Sequence, residues 1–183
     1  SFWKPKEAQG VVNAPPHLML TIKGSVNLLS NPELLDPFRP DDLTKIEIDS
    51  LAADINSNTL VHLVRLTQLR ELTIANTEIT KEIIEAINKF KLLEGLQLQG
   101  SPVSADYLLK LDRLDQLSTL AVQDVRGISP VIAKIKGAPQ RMLKELDMSY
   151  CRLTDADLEQ LAEIDTLTTL KLSFNNFGER GIT

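Results

Sequence analysis

At 183 residues, with 43% hydrophobic and 25% charged side chains, the chain can build one domain with a substantial core, which excludes wholesale disorder. A net charge of −5 argues against a general nucleic-acid binder, and no apolar run reaches the ~18–20 residues that span a bilayer. Aromatics amount to only 4%, so the core must be aliphatic, and Cys151 as the one cysteine rules out an intramolecular disulfide or a cysteine-rich zinc site.

Residues 1–16 (SFWKPKEAQGVVNAPP) show no period and hold three prolines. They are read as an N-terminal arm or cap in which Phe2 and Trp3 cover the first repeat of the domain. The chain opens on Ser1 rather than methionine, which fits a processed form and leaves the compartment undetermined.

From residue 17 onward one pattern recurs. Aligned on an apolar anchor, the chain gives Leu20, Ile46, Leu72, Leu96, Leu120, Leu146 and Leu170, at intervals of 24 or 26 residues. Two residues after each anchor stand Ile22, Ile48, Ile74, Leu98, Val122, Met148 and Leu172. Three residues before it the position is leucine in every copy but the first, which has His17. In such a triplet the two apolar side chains share one face of a short strand and the residues between them point the other way. Seven strands stacked ~4.8 Å apart make a parallel sheet about 30 Å long.

The segments between strands read as short helices. Asn31-Pro32-Glu33 looks like a helix start. Thr80, Ser104 and Thr154 are placed to cap the helices after them, with Glu82, Asp106 and Asp155 favouring the positive end of each dipole. Ile83, Ile84 and Ile87, then Leu158 and Leu161, form inward stripes at helical spacing. In the fifth copy Ser129-Pro130 and Gly137-Ala138-Pro139 are expected to interrupt the helix. At the end, the chain reaches Thr183 before a last helix forms, which predicts truncation, a following domain, or a partner over Leu170, Leu172 and Phe177. Self-association through that apolar end is one such case.

Four copies carry a longer tail, with Thr77, Ser101, Cys151 and Asn175 five residues past the anchor. The segments LRELTIANTEI, LEGLQLQGSPV, LKELDMSYCRL and LTTLKLSFNNF thus resemble the leucine-rich-repeat consensus LxxLxLxx(N/C/T)xL. The repeat length and links such as EITKE and LTDAD are similar to bacterial and F-box-type repeats, and SFNNFGERGI to the ribonuclease-inhibitor-like kind. The resemblance covers residues 17–183 as one domain of about seven repeats. It implies a right-handed α/β solenoid, with a curved parallel sheet on the concave face and short helices on the convex one. It also implies non-catalytic recognition of another protein or peptide, with no cofactor. The alternative is a targeting domain of a larger enzyme or effector whose catalytic domain lies outside this chain.

The strand positions that alternate with the core define the concave floor. Its centre holds Thr73, Ala75, Gly95, Gln97, Gln99, Thr119, Ala121 and Gln123, all small or uncharged. Acids flank it, with Glu47, Asp49 and Glu71 on one side and Glu145 and Asp147 on the other, while Lys23, Lys45 and Lys171 lie towards the ends. This reads as a hydrogen-bonding cradle for a protein or peptide with basic groups, or else as ordinary solvated strand. The floor has no aromatic anchor. A second feature is the acid-free stretch from Val125 to Lys144, where Arg126, Lys134, Lys136 and Arg141 form a candidate anion patch for phosphate, an anionic surface or an acidic partner.

No catalytic set emerges. His17 and His62 fall in different repeats, Cys151 has no histidine near it in sequence, and no GxxxxGK[ST], GxGxxG or HExxH occurs. Asp54-Ile55-Asn56-Ser57-Asn58 opens like a calcium loop, but Thr59 replaces the glycine and Arg65 the final carboxylate.

Overall fold

Each apolar triplet forms a strand, and the strands stack in chain order. The computed structural model describes residues 20–24, 26–50, 55–139 and 142–178. It places β1 (Leu20–Gly24), β2 (Leu43–Asp49), β3 (Glu71–Ala75), β4 (Gly95–Gln99), β5 (Thr119–Val122), β6 (Glu145–Asp147) and β7 (Thr169–Lys171) in one sheet, each parallel to the next. Between them run α1 (Val26–Ser30), α2 (Ser57–Leu63), α3 (Lys81–Ile87), α4 (Ala105–Leu108), α5 (Ser129–Lys136) and α6 (Asp155–Ala162), with 3-10 turns at Pro32–Leu35 and Leu114–Gln116. Residues 1–16, including Phe2 and Trp3, and His17 lie outside the described residues.

The anchors meet in register. Ile46 pairs with Leu72, Leu72 with Leu96, Leu96 with Leu120, and Leu120 with Leu146. All five are at most 3% exposed. In the first repeat the alignment is displaced: Ile22, not Leu20, sits beside Ile46, and Gly24 beside Ile48. A shift of two residues keeps the same side chains on the same face, so the alternation in the sequence does not distinguish the two registers.

The polar residues five past the anchor form a ladder. Ser101 Oγ donates to the carbonyls of Ile74 (3.4 Å) and Gln99 (3.1 Å) and accepts from Thr77 N–H (3.3 Å). Cys151 Sγ donates to Val122 (3.6 Å) and Ser149 (3.5 Å), and Asn175 Nδ2 to Met148 and Leu172, both at 2.9 Å. Each side chain therefore ties its own rung to the carbonyl of the one before, satisfying backbone groups that the short strands leave over. Burial pushes the Cys151 thiol up to about 11, so it is inert packing rather than a nucleophile.

One residue earlier, every rung from the third to the seventh turns through the left-handed region: Asn76, Gly100, Asp124, Tyr150 and Phe174 have φ between 54° and 62°. This reversal carries the chain out of the sheet towards the helices. Glycine, Asn and Asp tolerate it best.

The helix caps differ from expectation in part. Ser104 Oγ accepts from Tyr107 N–H at 3.2 Å as predicted, whereas Thr80 stands at the cap position without a side-chain cap bond. At α6 the cap is reciprocal: Asp157 Oδ2 receives both the N–H (2.9 Å) and the hydroxyl (2.8 Å) of Thr154. Asp157 is buried and also takes a hydrogen bond from Ser129 on α5. Burial raises its carboxyl, but the three hydrogen bonds outweigh that and hold it below the usual carboxylate range. Asp54 of the calcium-like segment lies outside the described residues; within the rest, Asn56 caps α2, its Oδ1 accepting from Thr59 N–H at 3.0 Å. Proline does not interrupt the fifth helix either. Pro130 occupies its first turn, where its missing N–H is no loss, and α5 runs eight residues before Gly137.

The register and the α6 cap can each be tested by substitution. Leu96→Asp, which puts a carboxylate at a position with no solvent exposure, should abolish the cooperative melting transition, while Gln97→Ala one residue away should move the melting temperature little, by roughly 2 °C at most. Circular dichroism of the pair tests the register. Because the folded carboxyl of Asp157 lies below its unfolded value, its stabilisation is present above the unfolded pKa of about 4 and is lost as pH falls through the folded one. Asp157→Asn should therefore lower stability at pH 7 and flatten the acid limb of the stability profile, as measured by urea titration from neutral pH downwards.

Candidate interaction surface

The strand register turns the outward side chains into rows, one residue per rung. The first row runs Lys45, Glu71, Gly95, Thr119, Glu145, Thr169, and the second Glu47, Thr73, Gln97, Ala121, Asp147, Lys171. The third starts at Asp49, Ala75 and Gln99, and Gln123 continues it just past β5. The sheet thus brings together all nine predicted concave positions: Glu47, Glu71, Thr73, Gln97, Gln99, Thr119, Gln123, Glu145 and Asp147.

The two acidic flanks differ in their electrostatics. Lys45 Nζ lies 2.9 Å from Glu71 and 3.4 Å from Glu47, and the Glu71 carboxylate in particular raises the lysine pKa. Asp49 accepts from Asn76 Nδ2 at 2.8 Å. On the other flank, Asp147 Oδ1 accepts from the Ser149 N–H (3.0 Å) and hydroxyl (2.7 Å), but neither Asp147 nor Glu145 has a cation within ion-pair distance among the described residues. Between the flanks Gln99 Nε2 donates to Gln97 Oε1 at 2.9 Å.

Two hollows open on this floor. One, of about 260 Å³, lies over Gly95 between Glu71, Thr119 and Glu145. A Cβ at Gly95 would stand 3.4 Å from Glu71 Cγ, so the missing side chain makes the dip. The other, of about 120 Å³, is bounded by Gln97, Gln99, Thr119, Glu145, Asp147 and Lys171.

Two lysines of the candidate anion patch are engaged within the fold. Lys134 Nζ donates to the carbonyls of Leu109 (2.9 Å) and Leu111 (3.3 Å), closing the end of α4, and Lys136 pairs with Glu163 at 3.0 Å. Arg141 lies outside the described residues. Arg126 is exposed, on the loop between β5 and α5. His62 is on α2, with Nδ1 2.7 Å from Asp36 Oδ1. No group of three or more His, Cys, Asp and Glu side chains suited to a metal occurs among the described residues, and no helix among them is long and apolar enough to cross a membrane.

The sequence reading finds no aromatic on the floor, but an aromatic pair stands on its rim. Tyr150 and Phe174, successive members of the left-handed row, stack with ring centroids 4.4 Å apart and planes 8° from parallel. They are 48% and 74% exposed. Their one signal in the sequence is a common place four residues past the anchor.

A family model described as Leucine Rich repeat matches residues 140–162 and 165–183. No curated protein matches the chain. Among solved structures, an internalin (inlF) from Listeria monocytogenes is similar in fold, with a TM-score of 0.54 and 22% identity over 76% of this chain. The match spans 37% of that internalin chain. Domains of this kind typically mediate protein–protein interaction. The registered rungs, the polar ladder and these two likenesses together show a leucine-rich-repeat fold.

Proposed function

We propose that the chain is a non-catalytic recognition module that binds a protein or peptide bearing basic side chains through its concave face. The observation that supports this most is the unequal state of the two acidic flanks. Lys45 is shared between Glu47 and Glu71, whereas Glu145 and Asp147 line the 120 Å³ hollow, which Lys171 also borders, with no cation within ion-pair distance among the described residues. The amide-rich floor beside them offers donors and acceptors for a backbone laid across the rungs, and the small residues at Gly95 and Ala121 leave room for it.

The test is a fluorescence-anisotropy titration with a labelled peptide of alternating lysine and tyrosine. Glu145→Gln with Asp147→Asn should weaken binding about five- to tenfold with the melting temperature unchanged, whereas Glu47→Gln should have little effect. Changing Gln97, Gln99 and Gln123 together to Arg should abolish it by like-charge repulsion. Equal binding by parent and Glu145/Asp147 variant would rule out the concave reading.

A further inference from the structure

The rim beside the fifth to seventh rungs has a composition unlike the rest of the surface. Four residues past their anchors, the third and fourth rungs use Asn76 and Gly100, residue types suited to φ near +60°. The fifth uses Asp124, which also tolerates the turn, and the next two use Tyr150 and Phe174. Bulky side chains are poorly suited to this conformation, and here they are spent on an exposed stack that covers no core. Arg152 adds a further left-handed residue with φ of 55° and lines an open hollow on this rim with Asp124, Tyr150, Phe174 and Asn176.

A second arginine approaches from the neighbouring rung. Arg126 and Arg152 each stand six residues past Leu120 and Leu146, which pair in register, so the two arginines hold the same position on neighbouring rungs. Both arginines are exposed, and neither has an ion-pair partner among the described residues. Of the basic residues read from the sequence as an anion patch, Lys134 and Lys136 are engaged elsewhere. Among the described residues Arg126 is left, and its companion is Arg152, which lies outside the acid-free stretch.

We propose that this corner is a second recognition surface, taking a carboxylate-bearing segment of a protein partner against Arg126 and Arg152 with an apolar side chain laid on the Tyr150–Phe174 stack. Tyr and Arg are enriched in binding hot spots and Phe at interface cores, and a guanidinium binds a carboxylate through two parallel hydrogen bonds. The surroundings select against a long polyanion. Asp124 stands in the same row, and Glu145 and Asp147 occupy the adjoining floor, so a run of phosphates crossing the corner meets repulsion that one or two carboxylates avoid. This surface is separate from the concave cradle and opposite to it in preferred charge.

The probe is a labelled peptide of alternating glutamate and tyrosine, titrated by anisotropy at low and at physiological salt, with heparin as a polyanion control. Saturable, salt-sensitive binding is expected. Arg126→Gln with Arg152→Gln should weaken it about tenfold. Tyr150→Asn with Phe174→Asn should weaken it as much while keeping the melting temperature within about 5 °C of the parent, because asparagine suits the left-handed turn. Neither pair should alter binding of the lysine–tyrosine peptide, so failure here is distinguishable from failure of the concave reading. No saturable binding, or binding indifferent to both pairs, would overturn the proposal. Tighter binding of heparin with the same arginine dependence would also overturn it, in favour of a polyanion site.

Discussion

The structure depends on keeping one spacing between rungs. Parallel strands of three to seven residues leave many backbone groups for neighbours to satisfy, and a rung displaced from its position would lose hydrogen bonds on both sides at once. The aliphatic anchors from Ile46 to Leu146 set that spacing from inside, through leucine and isoleucine side chains with almost no solvent contact. Ser101, Cys151 and Asn175 set it from the turn, each holding a carbonyl of the preceding rung. Neither device works alone. Apolar stacking has little directional preference, and a single side-chain hydrogen bond contributes only about 1 kcal/mol net.

The same regularity makes a surface. Alternation along each strand directs every second side chain outward, and register places those side chains in rows. The face therefore takes its charge from one residue in each rung. Its electrostatics change along the stack: internal pairing around Lys45, a neutral centre of amides and small side chains, then carboxylates with no cation at ion-pair distance among the described residues. Recognition by such a face needs no cavity of the enzymatic kind, and the hollows present are shallow dips made by missing or short side chains.

Most of the architecture is legible in the sequence because its determinants are local and repeated. Leu72, Leu96 and Leu120 identify their own strands by period, and the nine floor positions come from alternation. The first repeat is misaligned by two residues because a period of two cannot register such a shift. Pro130 reads as a breaker, yet its effect depends on whether it falls in the first turn or later, and the start of α5 at Ser129 decides that. The basic stretch misleads for a different reason. Proximity in sequence puts Lys134, Lys136 and Arg126 together, but the first two spend their charge on carbonyls and a carboxylate more than 20 residues away in the chain. The stacked rings of Tyr150 and Phe174 escape the pattern, since they lie in the turn, where the consensus specifies no residue type.

The left-handed turn has a consequence for how this molecule can vary. Because the backbone reverses at the same place in each rung, the direction of the departing side chain is set before its identity is chosen. Asn76, Asp124, Tyr150 and Phe174 occupy equivalent sockets with entirely different chemistry. Such a row behaves as a pegboard. New specificity arises by exchanging the peg while the board stays as it is, and the limit on exchange is only the modest conformational penalty that each new side chain brings to its socket.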